Sequence, residues 1–363
     1  MKESFIKNMQ PAPVGGGFEM DNYWIWCGSV IQGEDGKYHM FASRWSMEVS
    51  FWPYWVTNSE IVRAVSDTPE GPFEFAEVIL PSRGPDFWDG MMTHNPTIHK
   101  SGDTYLLYYT GTTYSGGMPD VHSQDIWGNE KTAEARRNQR VGLAVSHSIT
   151  GPWERFDEPI LQPRTGKWDG LMTTNPAACV LPDGSVMLVY KSTGDQLDRL
   201  RLGIAKADHY RGPYVRLREE PIFQFDEMGD HVEDPYIWFH DGRFQLIMKD
   251  MEGGICGEMH AGIHATSSDG VHWEVSNPPM AYSRRVQWDD HTETVQGSLE
   301  RPQLLIQDGI PTHFYAATAN CGGVYDLDNP ATKTWTIAIP LMQSHDSLDT
   351  SSSNLPLSKG GES

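Results

Sequence analysis

The chain has 363 residues, 28 of them basic and 49 acidic, for a formal charge of -21, which argues against nucleic acid or an anionic membrane as a partner. With 35 Gly, 24 Pro and 13 Trp it has the composition of short strands and tight turns, and it is long enough to bury a large core. The cysteines Cys27, Cys179, Cys256 and Cys321 are far apart and form no C-x-x-C pair, which speaks against a zinc site or a disulfide framework.

From the N-terminus, Met1–Gln10 lacks the apolar core of a signal peptide, and no apolar run approaches membrane-spanning length. The expected location is the cytoplasm, or the periplasm or exterior if an export signal has been removed. Residues 1–18 are polar and rich in Pro and Gly and read as a strap across the fold. Tyr23 to Ser43 gives two strands around an Asp35-Gly36 turn. The aromatic segment Trp45 to Trp55 is too irregular for a helix and reads as a rim loop. Glu60 to Ser66 resumes a strand, and Thr68-Pro69-Glu70-Gly71-Pro72 is a turn.

These features then recur. Gly151-Pro152 and Gly212-Pro213 repeat the Gly71-Pro72 turn, with Asp269-Gly270 as a variant, and Trp168-Asp169-Gly170 copies Trp88-Asp89-Gly90. Strand starts at His94-Asn95-Pro96, Thr174-Asn175-Pro176, Glu233-Asp234-Pro235 and Glu300-Arg301-Pro302 share one layout, and Trp26-Cys27-Gly28 is a looser copy. Each strand runs into a turn and a partner strand. Four antiparallel strands per unit in five units predict an all-β fold, a five-bladed β-propeller spanning residues 1–343 as a single domain. Residues 114–140 read as an inserted loop that lengthens the second unit, Thr334 to Pro340 as one more strand, and the Ser-rich residues 344–363 as a disordered tail.

In such a fold the starts of the innermost strands converge on the axis. That gathers Trp26, His94, Asn95, Asn175, Glu233, Asp234, Glu300 and Arg301, a polar set costly to bury unless it is paired or functional. One reading is a structural ion-pair ring. The other is a sugar site, because glycoside hydrolysis needs one protonated and one ionised group flanking the scissile bond. Glu233 and Asp234 are adjacent and point differently, so the second acid is sought elsewhere: Glu300, or Asp21 just ahead of the first inner strand. Trp26 and Trp88 are candidate stacking platforms, Arg44 and Lys249 candidate substrate contacts, with Lys249 at the rim. Asp89 and Asp169, repeated identically, read as structural. His94 is a candidate contact for substrate or for an axial metal ion such as calcium; no other cofactor is called for.

Together these motifs resemble the five-bladed β-propeller glycoside hydrolases of families 43 and 117 and their relatives. The resemblance covers residues 20–340 and implies inverting, exo-acting hydrolysis of an oligo- or polysaccharide. It further implies an Asp base on the first blade, an Asp that tunes pKa, and a general acid that is Glu in family 43 and His in family 117. Asp234 then matches the tuning Asp, and His291, before the fifth inner strand, is the candidate for a family-117-like acid. The chain departs from the pattern where the first blade would carry its base, since it reads Cys27-Gly28-Ser29, and where Asn175 stands at the family 43 acid position on the third blade. The expected activity is a glycosidase in which Glu300 or His291 donates the proton and Asp21 or Glu233 activates water. The alternatives are a glycoside phosphorylase and a carbohydrate-binding propeller without catalysis.

Overall fold

The computed structural model describes residues 5–117, 130–194, 199–320 and 332–342. Blade 1 comprises β1 (Tyr23–Gln32), β2 (Tyr38–Ser46), β3 (Glu60–Ser66) and β4 (Glu74–Leu80). Blade 2 is β5 (Met92–Ser101), β6 (Thr104–Thr112), β7 (Arg140–Ser146) and β8 (Glu154–Arg155), and blade 3 is β9 (Thr174–Val180), β10 (Val186–Ser192), β11 (Arg201–Ala207) and β12 (Val215–Arg216). Blade 4 is β13 (Val232–His240), β14 (Arg243–Asp250), β15 (Gly262–Ser267) and β16 (Glu274–Tyr282). A hairpin of β17 (Arg285–Gln287) and β18 (Glu293–Val295) follows. Blade 5 is β19 (Leu299–Gln307), β20 (Ile310–Ala319) and β21 (Thr334–Pro340).

Every blade is an antiparallel meander whose first strand is innermost. The inner strands meet in the cyclic order β1, β5, β9, β13, β19 and back to β1, which closes a five-bladed propeller. The N-terminal strap completes blade 5 from its open edge. Phe18 exchanges backbone hydrogen bonds with Thr336 on β21, and Met9 bridges Leu341. The two ends of the described fold are thereby tied into one blade, which locks the ring.

Burial explains the sequence pattern. The first two strands of a blade are sandwiched between its neighbours, so all nine residues of the second strand β6 are buried, whereas the outer strand β4 is exposed at three consecutive positions. The core is accordingly divided among the blade interfaces. Phe41, Ile61, Ile98 and Leu107 pack between blades 1 and 2; Leu106, Tyr108, Leu188 and Ala205 between blades 2 and 3. Met187, Val189, Leu246 and Met248 fill the next interface, and Tyr236, Trp238, Phe314 and Ile337 the one after. Ile25, Met40, Tyr315 and Ala338 close the ring.

The aromatic segment after β2 differs from the expected rim loop. Phe51–Asn58 is a helix, α1, with Trp52 in a non-helical conformation at φ -109° and ψ 133°. Phe51, Tyr54 and Val56 are buried, and Phe51 and Tyr54 join Trp24, Trp26 and Trp45 in one aromatic cluster. That burial outweighs the weak helix propensity of so many aromatics. Within the insertion Glu130–Arg137 forms a second helix, α2, which buries Thr132 and Ala135, with Ala135 packed beside Val56. The remainder of the insertion (118–129), Cys321 and the tail (344–363) lie outside the described residues.

Candidate functional site

Five residues, one at the start of each inner strand, share a left-handed backbone: Cys27 (φ 59°), Asn95 (53°), Asn175 (48°), Asp234 (55°) and Arg301 (53°). At each of them the pairing with the second strand slips through a bulge. A bulge with one left-handed residue re-aims a side chain and ends regular pairing, and Asn and Asp tolerate that conformation best among residues with a Cβ. A proline follows in four of the five blades, and Gly28 in the first.

The side chains form a relay around the axis. Cys27 Sγ donates to Asn95 Oδ1 at 2.9 Å, Asn95 Nδ2 to Asn175 Oδ1 at 2.7 Å, and Asn175 Nδ2 to Asp234 Oδ1 at 2.5 Å. Asp234 Oδ2 accepts the Arg301 backbone N–H at 3.2 Å. Asn95, Asn175, Asp234 and Arg301 are thus brought together as repeat positions, and all are buried.

The residue preceding each of these is Trp26, His94, Thr174, Glu233 or Glu300, paired across the strand with Ser43, Thr110, Lys191, Lys249 and Ala317 respectively. The chemistry concentrates on blades 3 to 5. Lys249 Nζ lies 2.6 Å from Glu233 Oε1, 3.0 Å from Glu300 Oε1 and 3.4 Å from Asp234 Oδ2. Lys191 Nζ takes the other Glu233 oxygen at 2.6 Å. Lys249 is therefore at the centre of the acidic cluster, 1% exposed, and not at the rim. Glu233 and Glu300 remain 13% and 21% exposed, so the cluster opens to solvent through these two carboxylates.

Their environments drive the two glutamates apart. Burial opposes ionisation of Glu233, but the Lys191 and Lys249 ammonium groups hold its carboxyl well below the usual range. Glu300 is pushed upward by burial and by the Asp234 and Glu233 charges, against the pull of Lys249. For Lys249, burial favours the neutral amine, and the three carboxylates overcome it and keep it charged.

Glu233, Asp234 and Glu300 each offer an oxygen within 4.8 Å of the others, as metal ligands would. The Lys249 ammonium already stands among those oxygens, so this donor set does not suit a dication. His94 does not join it. Its Nδ1 lies 2.8 Å from Ser59 Oγ, its Nε2 3.8 Å from Cys27 Sγ, and its ring packs 4.7 Å from that of Trp55. Burial, with Arg301 and Lys191 nearby, holds His94 neutral.

The other sequence candidates lie elsewhere. Asp21 is exposed in the turn ahead of β1. His291 is exposed at the tip of the β17–β18 hairpin, beside a cavity of about 590 Å³ lined by Trp288, Asp290, Thr292, Trp335 and strap residues. That cavity lacks the convergent acids of the axis. Arg44 is held by Glu60 at 2.8 Å and lies over the Tyr23 and Phe75 rings. Trp26 is buried edge-on against Phe51. Trp88 donates to the Phe156 carbonyl and stacks on Tyr109, and Trp168 repeats this on Glu219 and Tyr190. Asp89 and Asp169 are wholly buried anchors for Arg83 and Arg155 and for Arg164 and Arg216.

Three residues near the acids are not among the site candidates of the sequence; His260 reads there, with His264, only as a helical zinc pair that Gly262 and the strand pattern argue against. Lys191 ends β10 as Lys249 ends β14, a repeat visible once the second strands are aligned. His260 Nδ1 is 3.9 Å from Glu300 and is drawn down to about 4 by burial and by Lys249. Arg136, on α2, lies over the Trp52 ring, and its charge reaches Glu233. No local signal links an inserted helix to the axis.

No family model matches the chain, and no curated protein matches it in sequence. Solved structures do match in fold. A family 117 glycoside hydrolase, Zg3597 of the marine bacterium Zobellia galactanivorans, superposes with a TM-score of 0.63 at 15% identity, over 92% of this chain and 89% of its own. BT0996 in its RGII complex gives 0.63 at 15% identity, covering 92% of each protein. The alpha-L-arabinofuranosidase of Lactobacillus brevis gives 0.58 at 13% identity, covering 91% of this chain and 94% of that one. The chain therefore has the five-bladed β-propeller fold that these carbohydrate-active proteins share.

Proposed function

We propose that this protein is a glycoside hydrolase with Glu300 as proton donor and Glu233 as the ionised carboxylate opposite it. One observation carries the reading: two glutamates from adjacent blades flank a single lysine, one favouring the protonated form and the other the charged form. That division of labour is what acid-assisted cleavage of a glycosidic bond requires. The fold shared with glycoside hydrolases supports it.

Asp234, bonded to Asn175 and to the Arg301 amide, fixes the cluster and tunes Glu300 by its charge. Glu233 and Glu300 are the members of the cluster that keep some exposure, at 13% and 21%, so a sugar would meet the cluster at these two carboxyl groups. Stereochemistry is constrained by spacing. One oxygen from each of the three carboxyl groups lies within 4.8 Å of the others, whereas the carboxyl groups of an inverting pair stand roughly 6.5–9.5 Å apart to admit a water. So close a cluster favours a base for inversion from outside these three residues. A screen of oligosaccharides with product anomers followed by NMR tests the proposal; a panel left wholly intact would refute hydrolysis.

The phosphorylase reading has one feature in its favour, the convergence of Lys191, Lys249 and Arg136 around Glu233. Both lysines are already bonded to that carboxylate, so phosphate would have to displace it. Turnover that depends on added phosphate would favour this second reading.

A further inference from the structure

Arg301 is the one ring member whose side chain carries a full positive charge. It is 2% exposed, and its Nη2 donates to the Pro176 carbonyl at 3.2 Å, so the guanidinium reaches from blade 5 to blade 3 across the axis. Its Nε and Nη1 are buried without an acceptor, and among the described residues no carboxylate pairs with this guanidinium. The Asp234 oxygen beside it is taken by the Arg301 backbone N–H.

Two residues further along β19, Gln303 is 1% exposed. Its Oε1 accepts from Thr97 Oγ1 of blade 2 at 2.9 Å, which fixes the amide orientation and leaves Nε2 as a third buried donor without an acceptor. Thr97 Oγ1 is in turn 2.9 Å from His99 Nε2, so it offers no compensating charge.

A buried guanidinium without a counter-charge is strongly unfavourable, and buried donors are almost always satisfied. Both residues project from the inner strand of blade 5 and bond to blades on the far side of the ring. We propose that the inner ring binds a small monovalent anion of halide size, held by Arg301 Nε and Nη1 and by Gln303 Nε2. The ligand chemistry is opposite in sign to that of a calcium site at the same place, because the donors here are N–H groups. Chloride suits these donors better than phosphate, since Arg301 is the single charge among them and a second negative charge would go unbalanced. The anion neutralises Arg301 in the fold and so acts as a structural element of the inner ring. This does not depend on the catalytic reading.

Crystals grown in sodium bromide, with diffraction recorded at the bromine edge, test the proposal directly. An anomalous peak within hydrogen-bonding reach of Arg301 and Gln303 is expected, and a map without one overturns it. In solution, the melting temperature of the wild type should rise with chloride or bromide relative to gluconate at equal ionic strength, and saturate. Arg301→Met removes the charge but risks misfolding. Gln303→Glu instead supplies a covalent carboxylate to Arg301, so this variant should melt at the same temperature in either salt. Equal melting of the wild type in halide and gluconate also overturns the proposal.

Discussion

Lys249 Nζ stands 2.6 Å from Glu233 Oε1, and the same nitrogen reaches Glu300 and Asp234, so a single buried ammonium holds three carboxylates from two blades. Lys249→Met leaves those charges facing one another with only Lys191, on the other Glu233 oxygen, as counter-ion. Breaking a buried pair in this way typically costs about 3–5 kcal/mol. Denaturant titration should register a loss of that size together with loss of activity, whereas a stability change below about 1 kcal/mol would show that the cluster is solvated.

The division between Glu233 and Glu300 sets a pH profile. In the proposed reaction Glu300 must be protonated to donate, so activity is expected below its raised pKa and should be lost as pH rises through it. Glu233 stays ionised to well below the usual carboxylate range, which moves the acid limb to low pH. Glu300→Gln should remove about 10²–10⁴-fold of activity on natural linkages and much less on aryl glycosides whose leaving group needs no proton. Equal losses on both substrates would remove Glu300 from the donor role.

Glu34 is a strut between blades 1 and 2. Hydrogen bonds from Tyr105 Oη at 2.6 Å, Ser148 Oγ at 2.7 Å and the Ile149 amide at 3.1 Å outweigh burial and hold its carboxyl down to about 2. A depressed folded pKa contributes stability above the ordinary value of 4.5 that is lost as pH falls toward about 2. Because the group is exposed and screened, its share is about 1 kcal/mol or less. Glu34→Gln should flatten the stability–pH curve across that window; an unchanged slope would count against the strut.

Asp89 is wholly buried among Arg83, Arg155 and the Tyr109 hydroxyl, and Asp169 among Arg164, Arg216 and the Tyr190 hydroxyl. Asp89→Ala and Asp169→Ala should each destabilise by about 3–5 kcal/mol. The conservative Asp→Asn changes should cost less, as a calorimetric series would reveal. A pair of neutral alanine variants would contradict the anchor role.

Cys27 is buried, and burial pushes its thiol well above the ordinary range, beyond what the nearby Arg301 charge offsets. Iodoacetamide should leave it unmodified in the native protein and label it only after denaturation. Rapid labelling of Cys27 in the folded state, read by mass spectrometry, would mean that the axial ring opens.

The blade order was readable because its signals are local. Asp35-Gly36, Asp183-Gly184 and Asp241-Gly242 mark turns whose glycines have positive φ, and apolar runs such as Leu106–Tyr109 mark strands buried on both faces. The strand Thr334–Pro340 and the five inner-strand starts followed from the same repetition. The helix at Phe51–Asn58 was not readable, because its stability comes from Trp24, Trp26 and Trp45, which are distant in sequence or lie in other elements. Asp21 and His291 were drawn from their order along the chain, and order along a loop does not determine where the loop faces.

The sequence by itself determined the number of blades, their strands and which residues begin each inner strand, since turn chemistry and apolar periodicity act over a few residues. Only the tertiary structure decided that Lys191 and Lys249 embrace Glu233, that Arg136 reaches the acids from an inserted helix, and that Arg301 spans the axis. Those relationships depend on bulge register and ring closure, which bring residues scores of positions apart within bonding distance.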